Sequence, residues 1–314
     1  MAERFKAEVL KTSEVSKPPW VRIPPSPPFW TLFETLPGVL LPAVRAKEKS
    51  LSSPSPAPRR RWLYQSTGPR SLCGLPALGR PSSPRIARVQ VQVAKTGWPY
   101  IDRNSIDESL SALKYPLYFF DFEAISLPIP PYDCMRPFEF MPFQASIRIQ
   151  EQDGWPISHF EYLGDGKADP RRELVDFLRQ HIGPEGSVVV DNKTFKGICL
   201  KSLAFEFRTK YNFLLSVIER LWDIGEPFRG TLYVHPAFGG SYSLKTVVPA
   251  LVPEVTYKNL AIQDGPEAQL AYWTLMTDAG LSDQERQKIM NDLRLHCGQD
   301  TLGMVALLKH LKSL

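Results

Sequence analysis

The chain has 314 residues, of which 43% are hydrophobic and 23% are charged, proportions that suit a globular protein with a sizeable core. No run of about 18 apolar residues is present, which excludes a membrane-spanning helix, and the N-terminus lacks the apolar stretch of a secretory signal. Four widely spaced cysteines, with no CxxC motif, exclude a disulfide scaffold and a Cys-based zinc site. We therefore expect a cytoplasmic protein that makes no membrane contact.

Charge and proline are concentrated at the start of the chain. Residues 1–84 hold 13 Lys and Arg against 5 Asp and Glu, a net charge of +8, and 15 of the 30 prolines. Proline removes backbone donors and fixes φ, so this segment is predicted to be disordered, and a basic arm that binds nucleic acid is the functional alternative. The remaining residues carry a net charge of −3, so their bulk charge gives no support for nucleic-acid binding.

Residues 21–28 have a further interpretation. The tRNA T-arm sequence GTTCGAATC reads Val-Arg-Ile in one frame, and a C-rich acceptor strand reads as Pro and Ser codons. We therefore keep the hypothesis that the reading frame begins further downstream and that residues 1–84 are a mis-assigned segment. Genomic DNA without a tRNA-like sequence beneath these codons would remove that hypothesis.

The domain predicted at residues 85–314 begins with three strands. The short apolar, aromatic run at 117–123 predicts a buried strand that ends in acids, and residues 143–150 alternate between apolar and polar as a second strand does. A turn at Asp153-Gly154 separates this strand from a third at 159–163.

Helices and short strands alternate after that point. A helix begins at Asp169-Pro170, and further elements are predicted at 187–190 (strand), 195–208 and 211–220 (helices), near Asp223 (strand), from about Ser241 (helix), and at 266–277 and 283–312 (helices). This order predicts an α/β fold, in which helices flank an open, mixed five-stranded sheet.

Two pairs of polar residues are candidates for a metal-binding or catalytic site. Asp121 and Glu123 are two apart on a strand and so point to the same side, where two buried carboxylates repel unless a positive charge lies between them. Mg²⁺ or Mn²⁺ is the natural partner for such oxygens, although an exposed strand end explains many such pairs. His296 and Asp300 are four apart and share one face of a helix. Together with Asn192-x-x-Phe195, these residues fit a two-metal nuclease site in order and spacing.

The same residues carry a family resemblance. Asp121-Phe122-Glu123 resembles the first motif of DEDD 3′–5′ exonucleases, residues 191–195 resemble the second, and residues 296–300 resemble the third in spacing. Over residues 85–314 the chain also resembles a bacterial family, domain of unknown function 2779, with matching stretches at 115–123, 142–144, 169–173, 240–245, 249–253 and 300–302. The resemblance implies a ribonuclease H-like fold. It also implies longer relatives, and hence a further N-terminal domain or partner.

The resemblance implies roles for the site residues. Asp121 would bridge two Mg²⁺ or Mn²⁺ ions, Glu123 and Asp300 would complete the metal ligands, and His296 would position or deprotonate the attacking water. Two residues depart from the exonuclease pattern. Lys196 stands where the second motif has an acid, and its ammonium would compete with a metal. His296 stands where one exonuclease branch has Tyr.

Two functions are consistent with these residues. One is a metal-dependent 3′–5′ exonuclease that hydrolyses DNA or RNA, as the retained Asp121, Glu123 and Asp300 favour. The alternative is an inactive nucleic-acid-binding or scaffolding domain that keeps the fold, which Lys196 favours.

Overall fold

The structure, a computed structural model, describes residues 84–314, so the predicted disordered segment lies outside the described residues except for Pro84. The strands are β1 (Tyr100–Ile101), β2 (Leu117–Ser126), β3 (Phe140–Gln150), β4 (Ile157–Leu163), β5 (Ser187–Val190), β6 (Leu221–Asp223) and β7 (Tyr233–Val234). The helices are α1 (Pro84–Thr96), α2 (Arg103–Ser111), α3 (Arg171–His181), α4 (Lys193–Glu206), α5 (Tyr211–Glu219), α6 (Glu226–Arg229), α7 (Leu244–Leu251), α8 (Gly265–Thr277) and α9 (Asp283–Lys312).

The main sheet has five strands in the order β4-β3-β2-β5-β6. Strands β2, β3 and β4 pair antiparallel, whereas β5 is parallel to β2 and β6 is parallel to β5. This confirms the predicted α/β architecture with a mixed five-stranded sheet flanked by helices. A second, two-stranded sheet joins β1 to β7.

Alternate side chains of β2 enter two separate cores. Phe120 and Phe122 pack into the core that contains apolar residues of α3, α4 and α5. Phe119 packs with α7 and α9, against residues such as Met304 and Leu307. Because side chains on a strand alternate between faces, the carboxylates that follow Phe119 by two and four positions lie on the face that α9 covers.

The first two helices were not predicted. In α1, valines alternate with glutamines from Val89 to Val93, a pattern typical of a strand. The segment is nevertheless helical, because Val89 and Val93, one turn apart, are the valines that are buried, whereas Val91 is exposed. Helix α7 begins at Leu244, slightly later than predicted. Among residues 84–314, no helix combines the length and the apolar character that crossing a bilayer requires.

The central position of β2 leads to a stability prediction. Phe119→Ala should lower the free energy of unfolding by about 3–5 kcal/mol, because Phe119 is 1% exposed and truncation leaves a cavity between two helices and the sheet. Phe205→Ala is the matched control, since Phe205 is 59% exposed and should lose less than about 1 kcal/mol. Urea unfolding followed by circular dichroism measures both. Equal losses would contradict this description of the core.

Candidate metal centre

Acidic residues gather where the parallel strands end. Asp121 and Glu123 lie in the middle of β2, just beyond the residues that pair with β5, Asp191 directly follows β5, and Asp223 is the last residue of β6. Open α/β sheets bind ligands at this edge of the sheet. A cleft of about 210 Å³ opens there, and its wall includes Asp121, Glu123, Asp191, Lys196, Lys245 and Asp300.

Lys196 pairs with Asp121, although burial still raises the pKa of that carboxyl. The Lys196 ammonium forms an ion pair with Asp121 Oδ1 and donates a hydrogen bond to the Phe122 carbonyl oxygen at 3.0 Å. It also lies 4.3 Å from the centroid of the Phe122 ring. Burial by itself lowers the pKa of Lys196, but the negative charges of Asp121 and Glu123 outweigh that effect and raise it. The side chain is therefore a permanent buried cation at neutral pH.

The first turn of α4 determines where Lys196 points. Asn192 adopts a left-handed conformation with φ of 60°, and its side-chain oxygen caps the helix by accepting from the Phe195 N–H. Asp223 Oδ2 accepts from the Lys193 N–H at 2.8 Å, which ties the same turn to β6. Strand β5 pairs with β2 only over residues 117–119, so the Phe122 carbonyl lies beyond the paired segment and accepts from the lysine instead.

Glu123, His296 and Asp300 form a second group beside this ion pair. One potential ligand atom of each lies within 4.8 Å of the others. His296 is fully buried, and its Nδ1 donates to the Ile262 carbonyl oxygen at 3.0 Å. A carbonyl can only accept, so Nδ1 carries the hydrogen, and without a metal Nε2–H donates to Glu123 Oε1, 3.1 Å away. Burial lowers the pKa of His296, but the hydrogen bond to Glu123 and its charge outweigh that effect and raise it. A histidine that donates to a backbone carbonyl in this way has the orientation of a metal ligand.

Asp300 is only partly compensated. It is 7% exposed, and among the described residues its Oδ1 makes no hydrogen bond of normal geometry, although the buried Tyr257 hydroxyl interacts with it and the charges of His296 and Lys245 act on it. Burial and then the charge of Asp121 raise the pKa of Asp300 to about 7. A buried acceptor without a partner costs about 1–3 kcal/mol, a cost that a bound cation would remove.

A hydroxyl network holds α9 against the sheet. Thr301, the residue after Asp300, donates from Oγ1 to the Gly298 carbonyl at 3.0 Å and lies 2.9 Å from Ser146 Oγ on β3. Arg148 donates from Nε to the same threonine oxygen at 3.2 Å. These contacts fix the helical turn that presents the imidazole and carboxylate of α9 to β2.

The four residues predicted for the site come together, with contacts that the sequence did not reveal. Asp121 meets Lys196, whereas Glu123, His296 and Asp300 form the three-residue group. The Ile262 carbonyl went unnoticed because a backbone acceptor in a loop has no sequence signature. The other acids of the edge are also paired, since Arg229 lies 3.4 Å from Asp191 Oδ1 and bonds to Asp223 as well.

The three-residue group fits one divalent cation. Two carboxylates and one imidazole suit Mn²⁺ better than Mg²⁺, because imidazole is a softer ligand than the oxygens that Mg²⁺ prefers. The unpartnered Asp300 oxygen and the oriented His296 nitrogen both lie within this group.

The family and the proteins that are similar to this chain are described as uncharacterized or of unknown function. The family described as "Domain of unknown function (DUF2779)" matches residues 118–243, a segment that includes Asp121, Glu123 and Lys196 but ends before α9. The chain is 28% identical over 226 residues to the Uncharacterized protein UU173 of Ureaplasma parvum, an alignment that covers 64% of this chain and 32% of that protein. It is 26% identical over 213 residues to the Uncharacterized protein MG366 homolog of Mycoplasma pneumoniae, covering 62% and 32% respectively. The chain thus spans about a third of the length of these curated relatives. No solved structure matches it significantly.

The buried Asp300 carboxyl predicts a pH dependence of stability without divalent cations. Its pKa of about 7 lies above the value of about 4 in an unfolded chain, so the folded state binds more protons between these values. In EDTA, the free energy of unfolding should therefore fall as the pH rises from about 4 to about 7. Asp300→Asn should reduce that fall by about 1 kcal/mol or more.

The measurement is urea unfolding in EDTA at several pH values. Glu254→Gln is the control, because Glu254 is an exposed residue outside the cleft and its removal should leave the fall unchanged. An equally steep fall in Asp300→Asn would show that this carboxyl is not the group responsible.

Proposed function

We propose that this domain is a metal-dependent phosphodiesterase that hydrolyses nucleic acid, with a ribonuclease H-like fold and 3′–5′ exonuclease-type chemistry. The observation that carries the proposal is the convergence of Glu123, His296 and Asp300 within 4.8 Å, with the His296 ring already oriented by a backbone carbonyl. The mixed sheet, with Asp121 and Glu123 on β2 just beyond its parallel pairing with β5, supports the fold that the exonuclease resemblance implies.

Each side chain of the candidate metal centre is assigned a role. Glu123 and Asp300 would hold the cation through carboxylate oxygens, and His296 would hold it through Nε2. His296 is thus assigned as a ligand, since its other nitrogen is engaged with Ile262. When bound, a divalent cation supplies Lewis acidity toward a phosphate oxygen and toward water. This assignment replaces the expectation that His296 acts as the base.

Hydrolysis then needs a positive surface for the phosphate. Lys245 lines the cleft, and its ammonium lies 3.4 Å from His296 Nε2 and donates to the Gln263 carbonyl at 2.6 Å. It can contact a phosphate oxygen while the water oxygen bonds to phosphorus and the P–O ester bond breaks. The attacking water loses one proton and the leaving oxygen gains one, so the hydrolysis is balanced.

One observation favours a second candidate function, that of a nucleic-acid-binding domain without catalysis. The Lys196–Asp121 ion pair lets part of the acidic cluster fold without any external cation. A domain of this kind would bind single-stranded nucleic acid equally well in Mn²⁺ and in EDTA and would leave it intact.

A nuclease assay separates the two. The full chain, incubated with end-labelled single-stranded DNA or RNA, should shorten it stepwise from the 3′ end in Mn²⁺, more slowly in Mg²⁺, and not in EDTA. Glu123→Gln and Asp300→Asn should each lower the rate by about 100-fold or more, since even residues that merely support metal ligands cost 10–100-fold when lost.

Glu254→Gln is the matched control and should keep the full rate. Shortening that survives in EDTA, or in both ligand variants, would contradict the proposed centre. Binding without any cleavage in Mn²⁺ would favour the second candidate.

A further inference from the structure

We propose that Lys196 takes the place of a second metal ion, so that the centre operates with one divalent cation and one fixed ammonium. This inference rests on the proposed function, because it concerns how the same site balances its charge. It departs from the two-metal arrangement that the exonuclease resemblance implies.

The contacts of Asp121 are the first observation. Its Oδ1 is paired with the Lys196 ammonium, and its Oδ2 faces the Cys297 thiol, with Sγ 3.9 Å away. Cys297 is fully buried, and a thiol donates only weakly to a carboxylate oxygen. Both oxygens of Asp121 are thus engaged by groups of the chain itself.

The confinement of Lys196 is the second observation. The residue is 5% exposed, and its ammonium also donates to the Phe122 carbonyl and lies over the Phe122 ring. A second cation on Asp121 would have to displace this ammonium. The displacement would break the ion pair and leave the Phe122 carbonyl without the donor that it has in this structure, a cost of about 1–3 kcal/mol for the carbonyl alone.

Charge balance is the third observation. Asp121, Glu123 and Asp300 together carry three negative charges when ionised. One divalent cation and the Lys196 ammonium supply three positive charges, with His296 neutral. A second divalent cation would leave an excess of two positive charges in a largely buried cluster, which is unfavourable. The other charges of the cleft offset one another, because Lys245 adds one positive charge and Asp191 and Asp223, which share Arg229, add a net negative one.

An ammonium and a metal ion are not equivalent in hydrolysis. Lys196 contributes only a fixed positive charge to the cluster, and no bond to its nitrogen forms or breaks. It cannot coordinate water. The attacking water must therefore be activated near Glu123, His296 and Asp300, and activity should depend on a single bound ion.

Counting bound Mn²⁺ tests this arrangement without relying on activity. The full chain, titrated with Mn²⁺ and followed by electron paramagnetic resonance of the free and bound ion, should bind one Mn²⁺ with the spectrum of an isolated ion. Lys196→Glu restores an acid and should bind two, with the broadened spectrum of two adjacent, spin-coupled ions. Lys196→Arg keeps the charge and should still bind one.

Two further measurements guard against misfolding. Circular dichroism checks that each variant is folded, and Lys196→Gln, which frees Asp121 without adding an acid, should also gain a second, weaker ion. Two Mn²⁺ on the unaltered chain would overturn the role of Lys196 and leave the proposed function standing. No bound Mn²⁺ on the unaltered chain would overturn both. A single ion in both Lys196→Glu and Lys196→Gln would show that Lys196 does not exclude a second one.

Discussion

Two carboxylates of β2 and one of α9 lie together beyond the end of the parallel pairing between β2 and β5, where burial makes their mutual repulsion costly. Basic side chains of the chain itself offset part of this repulsion, and the placement of several helices and strands depends on these contacts. Lys196 pairs with Asp121, and the buried His296 imidazole faces Glu123. Asp300 makes no ion pair among the described residues, and burial and then the charge of Asp121 raise its pKa. Of the three acids, Asp300 is therefore the least compensated by side chains of the chain.

A few local features of the fold determine where these groups lie. Strand β5 stops pairing with β2 at Phe119, which leaves room for the first turn of α4 to send Lys196 to the edge of β2. Helix α9 lies across the same face, and its contacts with β3 through Thr301 fix the rotation that presents His296 and Asp300. The site thus combines a strand edge, a helix N-terminus and the middle of a long helix.

Much of this arrangement could be predicted from the sequence, because the physical signals are strong where elements are buried. The aromatic run of β2 and the valines of β5 predict their strands, and the acids of β2 predict the site. Helix α1 was not predicted, because its valines alternate with glutamines as they would in a strand. Lys196 was noticed as a departure, but its pairing with Asp121 depends on where β5 ends and how Asn192 caps α4, which no spacing reveals.

Crystals of the full chain soaked in Mn²⁺ and measured at the manganese absorption edge would locate each bound ion. We expect one anomalous peak, within ligand distance of Glu123, His296 and Asp300, while Lys196 remains on Asp121. A second peak on Asp121 with Lys196 displaced would contradict the single-ion centre. The absence of any peak at these residues would contradict the metal centre itself.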